Sequence, residues 1–531
     1  MHPLLQPVVK PSRPTPVSAA RPASPAPRAR WPRVLALTLA GVLITGAAQA
    51  QNVTPFGFDQ VVALAKTLAA APYASHLGNA GAFYQGLSYD QYRDIRFVKA
   101  HALWHDAALP FEIEFFHPGL FNPQTITVNE VVDGHAQLVP FRRESFDYGH
   151  VVVPANTPAP AGYAGFRVHY AINNPQYKDE FLVFLGASYF RAVGQDQPYG
   201  MSARGLALNT AEPGGEEFPV FEQFWLVRPA ANATQLTIYA LLNSQSVTGA
   251  YRFLITPGKD TTMDVASTLF FRQAPALVGI APLTSMYWFG ENAFPHPYDW
   301  RPEVHDSDGL LVALRSGLWQ WRPLDVINEI RHVSFQSADL AGFGLLQRDR
   351  AFASYLDFEA RYHQRPSVWT EPTSDWGPGS VHLIELPTPD ETNDNIVAFW
   401  APDNPPPIGQ PWTWQYRLHW DNTAPEPANL SHVISTRRGH PTQSSDSYFV
   451  LEFSPVDGAS LTARPEAEIS AGDGAILREY HIIPNPDTSG WRVSLRLRLK
   501  PGVQASDLRC QLFLQGKPVS EQWNYLWSAT P

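Results

Sequence analysis

Proline sets the first limit on this chain. It occupies 50 of the 531 positions, roughly twice the ordinary share of about 5%. Each proline removes a backbone donor and interrupts a helix interior or a central strand. Such a chain is left with short strands joined by turns, and the stretches between prolines read that way. Residues 111–115, 125–128, 235–239, 251–255 and 448–453 are short runs rich in β-branched and aromatic residues. The clearest strand is 491–500. There Val493, Leu495, Leu497 and Leu499 face one way while Arg492, Ser494, Arg496 and Arg498 face the other, as in a half-buried antiparallel strand. One helix is predicted near the start. Phe58, Val61, Val62, Ala65 and Leu68 share a face, and Pro72 closes it. Hydrophobic residues make up 44% of the chain, enough to exclude wholesale disorder. The fold class expected is all-β.

A length of 531 exceeds the roughly 250–300 residues that one core holds. The boundary signal is at 402–409, where Pro405, Pro406 and Pro407 stand in a row and cannot feed a sheet ladder. The expected division is a large many-stranded β-sandwich over 51–401, a linker over 402–410 and an immunoglobulin-like β-sandwich over 411–531.

Residues 1–50 differ from the rest. They hold Lys10, Arg13, Arg21, Arg28, Arg30 and Arg33 and no acid, then an apolar run from Val34 to Ile44, and end in Ala48-Gln49-Ala50. This is the pattern of a secretory signal peptide, with cleavage expected after Ala50. The apolar run is shorter than the roughly 20 residues that span a bilayer. No Arg-Arg pair precedes it, which favours the general secretory route over twin-arginine export. Removing six positive charges from a chain of net −10 leaves −16. So acidic a protein is a poor ligand for nucleic acid or anionic lipid. The compartment expected is the periplasm.

The single cysteine, Cys510, excludes an intrachain disulfide and any cysteine-based metal cluster, and is expected to be a small buried hydrophobe. There is no P-loop, no G-x-G-x-x-G and no G-x-S-x-G. His101 and His105 are spaced as a metal pair on a helix would be, but Trp104 between them points to packing. No cofactor or metal is expected.

Carboxylates, arginines and tryptophans concentrate between 285 and 400, in a chain with only 17% charged residues. Sugar sites use this mixture. Aromatic rings cover pyranose faces, and charged groups bond the hydroxyls. Glycoside hydrolysis needs two carboxyls, an acid for the leaving oxygen and a base or nucleophile opposite. These residue types do not themselves select the pair. Solvated loop charges between strands would look the same.

The runs 185–191, 202–207, 215–219, 248–251 and 281–286, together with 285–292, 299–309, 342–350, 365–369, 376–377, 385–388 and 391–396, resemble the osmoregulated periplasmic glucan biosynthesis family, the glucans biosynthesis proteins G and D. The resemblance covers essentially the whole chain after residue 50. It implies a large N-terminal sandwich of galactose-mutarotase type and a C-terminal immunoglobulin-like domain. It also implies a role in making β-1,2-linked periplasmic glucans and an anomer-inverting endo-β-1,2-glucanase activity. The family motif Glu-Thr-Asn-Asp-Asn places the general acid on Asp394, and His-Asp-Ser places the general base on Asp306. Arg301, Glu303, His305, Arg348, Glu385 and Asn395 stand inside the matching motifs, as candidates to bind sugar hydroxyls or orient the acids. Trp300, Trp376 and Trp400 are candidates for an apolar wall beside the acid. The missing Arg-Arg pair resembles type G, whereas Asp308 and Asp299-Trp300 stand nearer to type D. The alternative function is a non-catalytic glucan-binding scaffold that guides nascent chain from a membrane glucosyltransferase. The expected partners are β-1,2-glucan and that transferase.

Overall fold

The computed structural model describes residues 55–293, 299–423, 425, 429–440, 445–455 and 463–528; the signal peptide expected over 1–50 lies outside them. The main body is two large sheets packed face to face. One has ten strands, in the order 331–337, 379–385, 396–402, 278–285, 202–204, 189–192, 177–185, 165–174 and 112–116, with 206–208 also beside 278–285. The other is part of a fifteen-stranded sheet. Period-two alternation fills the space between them. Phe184 lies 5.3 Å from Phe190, 5.3 Å from Phe224 and 5.2 Å from Phe253. These offset and edge-on ring contacts are favoured by the ring quadrupole.

The predicted helix is present as Phe58–Ala69 and lies on the back of the fifteen-stranded sheet. Val61 and Ala65, one turn apart, pack with Trp225, Leu241 and Phe270. Their strand neighbours Phe224, Leu242 and Leu269 point into the main core instead. The helix therefore covers a sheet face that would otherwise be apolar and open.

The proline run is not a domain linker, which corrects the expected boundary at 402–410. Ile396–Pro402 belongs to the ten-stranded sheet. The next strand, Trp412–Asp421, enters the other sheet between 261–271 and 367–372, with Tyr416 opposite Val265 and Leu418 opposite Thr370. Its Trp420 is fully buried in the main core, 6.1 Å from Phe190. The prolines thus carry the chain from one layer to the other, and the second sandwich begins only past Asp421. A fragment ending at 410 lacks an interior strand. We expect it to show no cooperative unfolding transition by circular dichroism; a stably folded 51–410 fragment would contradict this pairing.

Among the described residues the C-terminal module has seven principal strands, Val433–Gly439, Ser447–Phe453, Glu466–Ser470, Ala475–Asn485, Gly490–Leu499, Ala505–Leu514 and Gln522–Ser528. The first, second, fifth and fourth form one sheet, and the third, sixth and seventh form the other. This is the strand allocation of an immunoglobulin constant-type sandwich. Phe449, Val493 and Leu495 meet Leu508, Cys510 and Trp523 inside. Cys510 is fully buried, and burial pushes its thiol up to about 12, so it is unreactive. The last strand pairs in parallel with Trp319–Pro323 of the large body, Gln320 opposite Gln522 and Trp321 opposite Trp523. One hydrogen-bonded sheet therefore runs through both modules.

Candidate functional site

Phe190 and Ala192 point into the core, so Tyr189 and Arg191 face outward from the ten-stranded sheet. Cross-strand register extends this outer face into a polar band. Arg167 pairs with Glu114 at 2.6 Å and Glu180 at 2.9 Å. Arg204 lies over the Tyr189 ring at 4.7 Å, and donates to Thr284 at 2.9 Å and Glu216 at 2.6 Å. Between these groups Arg191 reaches Asp394, Nη2 to Oδ2 3.2 Å. The band runs across the strands.

Asp394 and Asp306 sit on different loops hung from one short run, 285–287. The Asn395 amide donates to Ser285 O at 3.0 Å. The Asn395 side chain accepts from Tyr287 N at 2.8 Å and donates to Tyr287 O at 3.0 Å and Leu386 O at 2.8 Å. On the other loop, Asp306 N donates to Met286 O at 2.8 Å, and the Ser307 and Ser285 hydroxyls meet at 2.7 Å. A buried amide with three backbone partners is costly to displace. Asn395 thus holds the loop that carries Asp394 rather than meeting a ligand itself. Arg301 ties the same loops together. It bonds Asp299 at 3.0 and 2.8 Å, Asp357 at 3.0 Å and Glu391 at 2.6 Å.

The Asp306 carboxylate is held by Arg365, whose guanidinium lies over Tyr362 at 4.2 Å. Gly200 permits this packing, because a Cβ there would come within 2.9 Å of Arg365 Cβ. Arg191 and Arg365 were not among the candidates, although both stand inside motifs that point to the family. The available signal was an arginine at an outward strand position, or beside a proline turn, in a chain poor in charge.

The remaining candidates lie elsewhere. Glu303 and His305 are buried. His305 Nε2 faces Glu303 Oε2 at 3.0 Å, and Nδ1 faces Gln347 Oε1 at 2.9 Å. The Gln347 amide nitrogen is committed to His305 O at 2.8 Å, which leaves its oxygen for the ring. Both ring nitrogens therefore donate, and the ring is an imidazolium. Burial alone would depress it, but Asp308 and Glu303 outweigh burial and hold its pKa up to about 9. Ligand-type atoms of Glu303, His305 and Asp308 lie within 4.8 Å of one another, as do those of Glu291, Glu303 and Asp349. That spacing could enclose a cation, and the imidazolium already supplies one.

Arg348 is at the joint between modules, not in the band. It forks onto Glu521 at 2.6 and 2.9 Å, donates to Val433 O at 2.7 Å and lies 3.6 Å over Trp321. Glu385 is fully buried between Arg322 at 3.5 Å and Arg331 at 3.8 Å. Neither offers a face to a sugar. Trp376 and Trp400 belong to the main core, whereas Trp300 is 65% exposed. The expected aromatic wall is thus reduced to Trp300.

Glu291 forms the second strap across the joint, bonding the Ser435 hydroxyl at 2.9 Å, the Thr436 amide and Arg437 at 3.0 Å. Burial raises its pKa from 4.5 to about 7, against the pull of Thr436 and Arg437. Burial, then neighbouring carboxylates, also push Asp349 up. For Glu291 and His305 the linkage has the same sign. Unfolded, Glu291 sheds its proton near 4.5 and His305 near 6.5; folded, they hold on to about 7 and about 9. The native state binds more protons across that window, so stability falls as pH rises through it. His117 and His382, pushed down to about 4 by burial, act with the opposite sign below about pH 6.5, so we expect the melting temperature to decline from about pH 6.5 to about pH 9, and Glu291→Gln to flatten the slope near pH 7. A melting temperature that rises over this range would contradict the assignment.

A large sandwich that carries arginines and carboxylates across one outer face, locked to an immunoglobulin-like module, defines a two-sandwich protein with a polar band across its larger body. The chain belongs to the family of the periplasmic glucan biosynthesis protein MdoG, whose model matches residues 56–527. It is 46% identical over 490 residues to the glucans biosynthesis protein G of Ralstonia nicotianae, covering 90% of this chain and 97% of that protein. The protein of the same name from Pseudomonas paraeruginosa is 41% identical over 510 residues, 93% of this chain and 96% of that one. That of Rhodopseudomonas palustris is 43% identical over 477 residues, 89% and 94%. Membership gives the chain a role in periplasmic glucan biosynthesis.

Proposed function

We propose that the chain is an anomer-inverting endo-β-1,2-glucanase that trims glucan backbones in the periplasm, with Asp394 as general acid and Asp306 as general base. One observation carries this reading. The loops of the two carboxylates hang from the same run, 285–287, and each carboxylate has its own arginine, Arg191 or Arg365. A linear glucan laid across the polar band meets Asp394, which gives its proton to the leaving glycosidic oxygen. Asp306, held in place by Arg365, takes a proton from the attacking water. Arg191 occupies Oδ2 of Asp394, so substrate must draw the arginine aside before that oxygen can face the glycosidic bond. A single 3.2 Å contact between two partly exposed side chains permits that.

The same contact favours the second reading. A scaffold that only binds glucan and receives it from a membrane glucosyltransferase needs no protonated acid, and a standing Arg191–Asp394 pair costs it nothing. Incubation with linear β-1,2-glucan separates the two. Shorter products with inverted anomeric configuration are expected. Tight binding without any cleavage would transfer the assignment to the scaffold.

A further inference from the structure

A cavity of about 360 Å³ opens beside the polar band, with Leu77, Phe121, Asn122, Tyr189, Phe218 and Phe221 among its lining residues. That volume lies within the range of small-molecule sites, about 300–1,000 Å³. Resting on the glucanase reading, we propose that this cavity is a remote glucosyl subsite, which holds a sugar unit of the same glucan chain away from the bond being cleaved.

Three observations carry the assignment. The first is continuity with the band. Tyr189 lines the cavity and Arg191 holds Asp394. The two residues are successive outward positions of one strand, about 6.6 Å apart at the usual rise. A chain lying across the sheet at Asp394 therefore reaches the cavity by continuing along the same face.

The second is the chemistry of the rim. Phe121 and Phe218 are 45% and 44% exposed, unusual for large aromatics in a chain whose other phenylalanines mostly fill cores. Exposed ring faces beside the amides of Asn122 and Gln124, which also line the cavity, suit the flat apolar face and the hydroxyl edge of a pyranose.

The third is that the walls are fixed in place. Arg204 lies over Tyr189 at 4.7 Å and over Phe218 at 5.8 Å, and is itself clamped by Thr284 and Glu216. The turn behind Tyr189 places Gly186 at φ 77° and Ala187 at φ 39°. The Ala187 carbonyl accepts from Phe221 N at 3.0 Å and the Gly186 carbonyl from Tyr189 N at 3.0 Å. A residue with a side chain held in the left-handed region is strained and persists where its surroundings over-determine it. The turn is thus a rigid wall, not a loop that must order on binding.

The test is a calorimetric titration of the whole mature chain with linear β-1,2-gluco-oligosaccharides of graded length. Phe121→Ala and Phe218→Ala are each compared with the unchanged cavity, as parent, in the Asp394→Asn background, so that the oligosaccharide is not cleaved during the titration, and thermal melts check that these exposed positions leave the fold intact. Lost ring contacts of about 0.5–1.5 kcal/mol each predict a roughly 2- to 12-fold weaker affinity for long oligosaccharides. Short ones that reach only the Asp394 region should bind as the parent does. Equal affinities at every length, or losses independent of length, would overturn the subsite while leaving the glucanase reading standing. A parent that binds no β-1,2-glucan of any length would overturn both.

Discussion

Asp394→Asn is expected to bind β-1,2-glucan and to lose at least about 10²–10⁴-fold in its hydrolysis, the range that general acid or base assistance supplies. An amide of the same shape has no acidic proton to give the leaving oxygen. The fold should not suffer, because the Asp394 side chain makes one ion pair, to Arg191, at a partly exposed position, and such pairs contribute little stability. Asp306→Asn should lose a comparable factor by removing the proton acceptor. It also leaves Arg365 without its counter-charge in a tightly packed setting, so a fall in melting temperature is expected with it. The two variants therefore differ in a readable way, one catalytic only and the other catalytic and structural. Parent-like cleavage by both variants would sink the assignment of acid and base.

The second large effect concerns stability. Glu521 is fully buried. It accepts both arms of Arg348 and the Val433 amide at 2.7 Å. Glu521→Ala strips three donors of their acceptor and leaves a guanidinium uncompensated at the joint. Breaking a buried pair from one side costs about 3–5 kcal/mol, which urea unfolding should read as an earlier midpoint. Replacing both partners, Arg348→Met with Glu521→Leu, should recover much of that loss, since no buried charge is then left alone. If Glu521→Ala unfolds at the parent midpoint, this strap does not hold the joint.

How far the sequence led depended on whether a feature is local. Helix 58–69 was legible because its apolar face repeats at the helical period, and strand 490–499 because Val493, Leu495 and Leu497 alternate with arginines. The size of the stretch after the prolines and its several short strands were enough to suggest an immunoglobulin-like module. The prolines themselves misled. Three in a row do forbid a ladder, but a passage between two stacked layers satisfies that rule as well as a linker does. Only the partner of the next strand distinguishes the two cases, and Trp412–Asp421 finds one of its partners about 150 positions upstream. Site charges followed the same logic. The family resemblance made Glu303, His305, Arg348 and Glu385 candidates beside the acids, but which face of a loop each uses is set by tertiary packing. That packing sent Arg348 to the joint and Glu385 into the interior. Arg191 and Arg365 come to the carboxylates from elements far away in the chain, 203 positions from Asp394 and 59 from Asp306.

The shared sheet also puts assembly in a fixed order. Strand Trp319–Pro323 has the 309–314 strand on one side and only the final strand, Gln522–Ser528, on the other. Until the strand Gln522–Ser528 pairs there, that flank is an open ladder bearing Trp319 and Trp321, the kind of edge that recruits other chains. The large body cannot close its own sheet; it waits for the strand Gln522–Ser528. A holding chaperone, or delay of folding until synthesis is complete, would protect this edge, and products cut short near the C-terminus should aggregate rather than survive as smaller proteins.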